Sequence, residues 1–251
     1  MSANNEGKQS EIPQLSLIVT TCSNRFPAWE SRKRQIERAV SSLLQQNGAH
    51  LPKFEVIVIQ DSLSGTWIDH LQDIFRDEIA TRRLHLHRVP TSGDSGKVRN
   101  HATSLAQGRY LAFVDPLDSW NQQYLSQVVE HLDALDSKHV IFCLRDDKSS
   151  GFRLSRNRDW LRLFLSENLL LPSSIIIKAS LFEKVGKFSE GYGGVPFPKK
   201  VPGLSDYELL IRTLILLKKA ANLNESRPST EIGWKRTTPL KKRPWNELHM
   251  L

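Results

Sequence analysis

The feature that most constrains the fold is a repeated pattern in the first 145 residues, in which a short apolar run is followed by a segment with helical periodicity. Leu15–Thr20, Phe54–Ile59 and Tyr110–Val114 are nearly continuous runs of β-branched and other apolar residues. Such runs are typical of strands buried on both faces, and strands that alternate with helices form parallel sheets. The pattern therefore predicts an α/β fold with a mostly parallel central sheet flanked by helices.

The other predicted elements follow from the same periodicities. Leu84–Val89 alternates apolar and polar residues, which indicates a strand with one wetter face. The predicted helices are Gln35–Gln46, Trp67–Ile79, Val98–Ala106, Asn121–Leu135 and Asp206–Leu223. Two further strands, His139–Leu144 and Ser174–Ile177, and a helical turn over Ala179–Val185 complete the expected set.

These elements divide the chain into four parts. Residues 1–14 are polar and predicted to be disordered, residues 15–145 form the sheet-rich half, residues 146–223 form a second half of the same domain, and residues 224–251 form a basic tail. Only two cysteines occur, so neither a disulfide framework nor a thiolate metal cluster is expected. The N-terminus does not resemble a signal peptide and no apolar run has membrane-spanning length, which predicts a cytoplasmic protein.

The chain carries a net charge of +8, from 35 basic and 27 acidic residues, which favours anionic partners. Part of the charge lies in Arg25–Arg38 and in the tail Ile232–Leu251, and two solvated faces are the interpretation we favour. Tryptophans lie among the basic residues of the tail, a composition that also suits peripheral contact with the inner membrane surface. A nucleic-acid-binding protein is a weaker alternative, because the basic residues elsewhere are not interleaved with aromatic ones.

A different feature points to chemistry: the strand Tyr110–Val114 stops at Asp115, and a second carboxylate follows at Asp118. Acidic residues just beyond an interior strand lie where open α/β sheets bind ligands. Two hard oxygen ligands suit Mg²⁺ or Mn²⁺, and such a metal suits a diphosphate. The alternative is a solvated turn, since Asp, Pro and Ser are common turn residues.

Five segments in order make the chain resemble the family 2 glycosyltransferases with the GT-A fold. They are SLIVTTCSNR (Ser16–Arg25), FEVIVIQDSLSG (Phe54–Gly65), SGDSGKVRNHATSLAQGRYLAFVDPLD (Ser92–Asp118), PSSIIIKASLFEKVGKFSE (Pro172–Glu190) and SDYELLIR (Ser205–Arg212). The resemblance spans about Leu15 to Leu217. It implies a Rossmann-like sheet whose residues 15–145 bind a nucleotide sugar, with residues 146–223 as an acceptor-side subregion.

The resemblance also implies roles for residues at the ends of the first two strands. Asp61 corresponds to the family's reader of the nucleotide base, accepting a hydrogen bond from the imide N–H of uracil or thymine. Thr21 lines the same pocket. The alternative for Asp61 is an N-cap or turn residue at the start of the 62–66 loop.

Arg99 and Asn100 match the family's Arg-Asn pair on the helix before the metal-binding strand. The resemblance implies that Arg99 reaches the sugar or the diphosphate, and Lys97 is a second cationic candidate. The alternative is an ordinary solvated helix start, with Asp94 or Ser95 as the N-cap.

Asp115 and Asp118 match the outer positions of the family's Asp-x-Asp-Asp pattern, whose middle acid is replaced by Leu117. Asp118 is then the expected metal ligand, with Asp115 nearer the ribose or a metal-bound water. Asp206 aligns with the family's catalytic base, which implies inversion at the anomeric carbon; simple capping of its helix is the alternative, and Glu208 is a weaker candidate base.

With this resemblance the sequence predicts a metal-assisted glycosyltransferase that moves a sugar from a nucleoside-diphosphate sugar to a hydroxyl in polysaccharide biosynthesis. UDP is the expected carrier, with dTDP and GDP as alternatives. The expected acceptor is a glycan, a lipid-linked glycan or a small molecule, and no nucleic acid is expected. The alternative is a degenerate relative that binds a nucleotide sugar or glycan without turnover, and the reason for it is that Leu117 and Ser205 stand where the family commonly has acidic residues.

Overall fold

The computed structural model describes residues 13–21, 32–63, 66–90, 92–126, 140–141, 173, 175–191, 208–213 and 215–216. The strands are β1 (Leu15–Thr21), β2 (Phe54–Asp61), β3 (Leu84–Val89), β4 (Tyr110–Val114), β5 (Val140–Ile141) and β6 (Ile176–Lys178). The helices are α1 (Lys33–Leu44), α2 (Trp67–Ile74), α3 (Arg76–Ala80), α4 (Ser95–Leu105) and α5 (Ala179–Val185). Residues 208–213 and 215–216 are also helical.

The strands form one sheet in the order β3-β2-β1-β4-β6-β5. The first four strands of that order are parallel, with Leu15 opposite Phe54 on one side and Tyr110 on the other. Strand β6 pairs antiparallel with both β4 and β5. The predicted mostly parallel sheet is confirmed, and the strand direction reverses at β6.

Both faces of the sheet are covered, which explains why its central strands are apolar at nearly every position. Alternate residues of β1 point to opposite faces: Leu17 and Val19 pack on the side of α1 and α2, and Ile18 packs on the side of α4 and α5. Residues of the 208–213 helix, Leu209 and Leu210, complete the second layer. The chain thus buries two apolar layers around one sheet.

A polar network joins three strands at the amino end of the sheet. The Ser16 hydroxyl donates to Glu55 Oε1 at 2.6 Å and accepts the Gly108 N–H at 2.8 Å. Glu55 Oε1 also accepts the Gln107 N–H at 2.7 Å. A side chain on Gly108 would place its Cβ 2.4 Å from the backbone nitrogen of Ser16, so only glycine fits. The buried Glu55 carboxylate is satisfied by these bonds, as a buried polar group requires.

One predicted helix is interrupted. The segment Trp67–Ile79 was expected to be continuous, but it breaks at Phe75 (φ −107°, ψ 40°) into α2 and α3. The break buries the Phe75 ring and leaves Ile74 45% exposed, although the helical pattern had placed Ile74 on the apolar face. Local periodicity cannot report such a break, because burial of Phe75 depends on the rest of the core.

Other boundaries differ or lie partly outside the described residues. Helix α4 begins at Ser95, three residues before its predicted start at Val98. Pro13 and Gln14, expected in the disordered N-terminus, accept backbone hydrogen bonds from Arg109 and Tyr110. Of the predicted helix 121–135, residues 124–126 are helical and residues 127–139 are not described. Residues 1–12, the segment 142–172 and the tail 217–251 also lie outside the described residues.

Among the described residues, no helix combines the length and hydrophobicity needed to cross a bilayer.

Candidate functional site

The candidate site residues on β1 and β2 lie at the carboxyl ends of these adjacent parallel strands, where α/β sheets bind ligands. The Thr21 hydroxyl accepts the backbone N–H of Asp61 and donates to the carbonyl oxygen of Ile59, each at 3.4 Å. Both Thr21 and Asp61 are buried. The structure therefore brings together the two residues that the sequence assigned to one pocket.

The Asp61 carboxylate organises the turn that leads into α4. Its Oδ1 accepts the Ser92 N–H at 2.7 Å and the Ser92 hydroxyl at 3.2 Å, and its Oδ2 accepts the Gly93 N–H at 3.1 Å. Gly93 has φ +66°, a conformation that glycine adopts without strain. The carboxylate thus binds a loop 31 residues later in the chain. The alternative considered for Asp61 had placed its contacts in the adjacent 62–66 loop. Recognition of a nucleotide base by Asp61 stays a prediction.

Helix α4 starts with a side-chain cap. Asp94 Oδ1 accepts the backbone N–H groups of Gly96 at 2.9 Å and Lys97 at 3.3 Å, which confirms the aspartate as the N-cap. Asp94 Oδ2 also accepts the Gly191 N–H at 2.5 Å. A Cβ at Gly96 would lie 2.3 Å from the Ser189 carbonyl oxygen. The first turn of α4 is therefore packed directly on residues 189–191.

The Arg-Asn pair of α4 faces the same segment. The Arg99 guanidinium carbon lies 5.0 Å from the centroid of the Phe188 ring, and the residue is 9% exposed. The Asn100 amide donates to the Phe188 carbonyl and the Glu190 carboxylate, each at 2.9 Å, and accepts the Phe188 N–H at 3.0 Å. Lys97 is exposed. Asn100 thus holds backbone in place, while ligand contacts by Lys97, Arg99 and Asn100 stay predictions.

A tight turn follows β4 and positions both metal-motif carboxylates. Asp115 Oδ1 accepts the Leu117 N–H at 2.9 Å, and the Asp118 N–H donates to the Asp115 carbonyl at 2.9 Å. The Ser173 hydroxyl accepts the Asp115 N–H at 2.8 Å and donates to Asp118 Oδ2 at 2.6 Å. Sequence reasoning missed Ser173, since a contact 55 residues away leaves no local pattern.

The residues of this turn fit a divalent cation that takes its other ligands from a diphosphate and water. Asp115 and Asp118 are half-buried and supply hard carboxylate oxygens, which Mg²⁺ and Mn²⁺ prefer. Within the described ranges no group of three or more His, Cys, Asp or Glu residues forms a metal site. Leu117, which replaces the middle acid of the family pattern, packs against the apolar core beneath the turn.

The candidate base Asp206 lies outside the described residues, but the helix that follows it is described. Arg212 forms a two-bond pair with Glu208, donating through Nε to Oε1 and through Nη2 to Oε2, the latter at 2.7 Å. Arg212 also donates to the carbonyl oxygens of Val185 at 2.7 Å and Lys187 at 2.6 Å. Because both Glu208 oxygens are engaged by this guanidinium, the geometry argues against Glu208 as the base.

Two histidines lie on β3, His85 opposite Ile57 and His87 opposite Ile59 of β2. His85 Nε2 lies 3.4 Å from Glu55 Oε2 at the amino end of β2. Burial, followed by the charges of His85 and His101, lowers the pKa of His87 below its ordinary value.

Comparison with known proteins agrees with this arrangement. A family model described as Glycosyl transferase family 2 matches residues 17–188. The putative colanic acid biosynthesis glycosyl transferase WcaA of Escherichia coli (strain K12) is 32% identical over 199 residues, covering 76% of this chain and 64% of that protein. The chain thus spans less than two thirds of this relative's length.

Solved structures share the fold at low sequence identity. S. aureus TarS 1–349 in complex with UDP-GlcNAc superposes with a TM-score of 0.55 at 21% identity, covering 80% of this chain and 53% of that one. The mannosyltransferase PcManGT from Pyrobaculum calidifontis, in complex with GDP-Man and Mn²⁺, gives a TM-score of 0.55 at 17% identity, covering 79% and 51%. These likenesses confirm the predicted GT-A fold.

Proposed function

The chain belongs to glycosyl transferase family 2, and from that premise we propose that it transfers a sugar from a nucleoside-diphosphate sugar to an acceptor hydroxyl. The proposed reaction is assisted by Mg²⁺ or Mn²⁺ and inverts the anomeric carbon. The observation that carries the proposal is that three adjacent parallel strands end at one edge with these residues: Thr21 ends β1, Asp61 ends β2, and Asp115 and Asp118 follow β4. That edge is where this class of sheet binds nucleotides.

On the donor side, each residue has a role that its surroundings support. Asp61 presents a buried carboxylate beside Thr21 and serves the nucleotide base. Lys97 and Arg99 lie on the first turns of α4, whose N-terminus carries positive partial charge and favours the diphosphate. Asp118, with Asp115 beside it, holds the cation. When bound, the cation offsets the negative charge that the diphosphate gains as the glycosidic bond breaks.

On the acceptor side, Asp206 takes the proton from the attacking hydroxyl. A hydroxyl is a weak nucleophile, so the reaction needs a carboxylate within hydrogen-bond reach of its proton. Support comes from the helix at residues 208–213, where Arg212 engages both oxygens of Glu208, which leaves Asp206 as the candidate base in this part of the sequence. WcaA is named for colanic acid biosynthesis, and we propose a glycan acceptor in polysaccharide assembly for this chain also.

A second candidate function is binding of a nucleotide sugar without turnover. The observation that favours it is Leu117, which packs against the core where the family pattern has an acid. That packing leaves two carboxylates rather than three for the cation.

The test is the thermal stability of the purified protein with UDP, dTDP, GDP and CMP, each with and without Mn²⁺. A ligand that binds only the folded state raises the melting temperature by mass action. A rise with one nucleoside diphosphate that requires the metal is expected, and it identifies the carrier for a screen of donor sugars. A metal-dependent rise with no transfer from any sugar would favour the binding protein, and no rise with any nucleotide would contradict both functions.

A further inference from the structure

A basic groove lies on the opposite face of the sheet from α4, between α1 and the segment that follows the metal motif. Its volume is about 540 Å³, within the range of small-ligand sites. One wall is formed by α1 and its C-cap, with a stripe at helical spacing that comprises Arg34, Arg38, Ser41 and Gln45. Glu37 and Ser42 of α1 also line the groove. Gln122 and Trp120 form the other wall. None of the site residues described above lines this groove.

The lining has the chemistry of an anionic saccharide site. Arg34 and Arg38 are exposed, and neither forms an ion pair with another residue in the described part of the chain. A guanidinium matches the geometry of a carboxylate or phosphate with two parallel hydrogen bonds. Ser41, Gln45 and Gln122 add hydroxyl and amide groups that both donate to and accept from sugar hydroxyls. The carboxylate among the lining residues belongs to Glu37, whose Oε2 is hydrogen-bonded to His70 Nε2 at 3.0 Å.

Direct hydrogen bonds connect the groove to the metal motif. The Trp120 indole N–H donates to the Ser173 carbonyl at 3.0 Å, and the Ser173 hydroxyl donates to Asp118 Oδ2 at 2.6 Å. On its other side, the Trp120 backbone N–H donates to the Ser42 hydroxyl of α1 at 3.0 Å. One bridging serine therefore separates the groove wall from the expected cation ligand, and the groove wall is rigidly attached to α1.

We propose that this groove binds an anionic stretch of the acceptor glycan, one that carries carboxylate or phosphate groups away from the reacting hydroxyl. The proposal rests on the proposed glycosyltransferase function and adds the charge of the acceptor to it. Binding energy from such remote parts of a substrate helps to position the reacting group. Nucleic acid fits the groove less well, because Trp120 in the groove wall is only 3% exposed and cannot stack on bases.

The experiment compares the affinity of the whole protein for a galacturonic acid tetrasaccharide and for a neutral galactose tetrasaccharide by calorimetry, without donor. The test variant is Arg34→Gln/Arg38→Gln. The matched control is Lys33→Gln/Lys184→Gln, which removes the same charge from exposed positions outside the groove. We expect the affinity of the test variant for the acidic tetrasaccharide to fall by about tenfold or more, because its charged hydrogen bonds are lost. The control variant should bind the acidic tetrasaccharide with the wild-type affinity.

Three results would overturn the proposal: equal losses in both variants, equal binding of the neutral tetrasaccharide, or single-stranded DNA that binds the arginine pair as tightly as the acidic glycan. The melting-temperature rise with a nucleoside diphosphate and Mn²⁺ is measured on the same samples. That rise in melting temperature tests the donor site alone. If the rise is absent, the proposed function is contradicted. Glycan binding that depends on the two arginines would still identify the groove as a binding site.

Discussion

Asn100 of α4 pairs with the backbone of Phe188 in both directions, donating from Nδ2 to its carbonyl at 2.9 Å and accepting its N–H at Oδ1 at 3.0 Å. The Arg99 guanidinium lies over the ring of the same phenylalanine. Phe188 in turn packs edge-on against Phe113 of β4, at 4.7 Å between ring centroids. The Arg-Asn pair therefore links α4 to the segment after α5 through a core residue.

Replacing Asn100 with alanine is expected to lower the free energy of unfolding by about 1–3 kcal/mol, because it leaves the N–H and carbonyl groups of Phe188 without these hydrogen bonds. Denaturant unfolding measures the change. Ser104→Ala is the control, since Ser104 is exposed on the same helix and bonds only locally to the His101 carbonyl. If both variants unfold at the wild-type midpoint, the pairing does not stabilise the fold.

Replacing Asp118 with asparagine is expected to abolish the Mn²⁺-dependent part of the melting-temperature rise with the preferred nucleoside diphosphate. The amide keeps the shape of the side chain and an acceptor for the Ser173 hydroxyl, but it lacks the negative charge that holds a divalent cation. Asp73→Asn removes a carboxylate whose side chain is 71% exposed and serves as the control. A full metal-dependent rise in the Asp118 variant would exclude Asp118 as a necessary ligand.

Replacing Asp206 with asparagine is expected to reduce turnover by about 10²–10⁴-fold, the usual contribution of a positioned general base, while donor binding is kept. Glu208→Gln is the comparison, because it alters a carboxylate two residues away that pairs with Arg212. We expect that second variant to lower the melting temperature more than the rate per folded molecule. The assignment of Asp206 as the base fails if Asp206→Asn retains the wild-type rate. If Glu208→Gln instead loses that rate, Glu208 becomes the candidate base.

The stability of the fold is expected to fall as the pH drops below about 6.5, the ordinary histidine pKa that applies to the unfolded chain. Because the pKa of His87 is lowered in the folded state, the unfolded state binds more protons through this window. Protonation therefore favours unfolding until the pH falls below the folded pKa, where the loss levels off. His87→Gln should flatten the dependence in denaturant titrations from pH 5 to 8, and the exposed His50→Asn should not.

How far the sequence predicts this molecule depends on whether the signal is local. The strands β1, β2 and β4 were predicted from nearly continuous apolar runs, because burial on both faces removes most polar positions from such strands. The break between α2 and α3 was not predicted, because it depends on packing against the rest of the core. The helix is interrupted at Phe75, and the Phe75 ring is buried there.

The same limit applies to the site. Asp115 and Asp118 were predicted as site residues because they follow a strand, and strand ends are visible in the sequence, whereas the role of Asp61 was implied by the family resemblance. The sequence assigned no role to Ser173 or Arg212. Ser173 hydrogen-bonds the turn that follows β4, and Arg212 ties the helix at residues 208–213 to the carbonyl of Lys187. Their partners lie 55 and 25 residues away, and neither type of residue carries a periodic signal.

The position of β1 in the middle of the sheet also determines when the chain can fold. Ser16 needs Glu55, 39 residues later, and Gly108, 92 residues later, to complete its hydrogen bonds. Strand β1 therefore stays half-paired until β4 has left the exit tunnel. Contacts of such sequence separation slow folding, and an unpaired apolar strand is prone to aggregate. We therefore expect the nascent chain to need chaperone protection over this interval, and recombinant yield to improve when translation through residues 60–110 is fast.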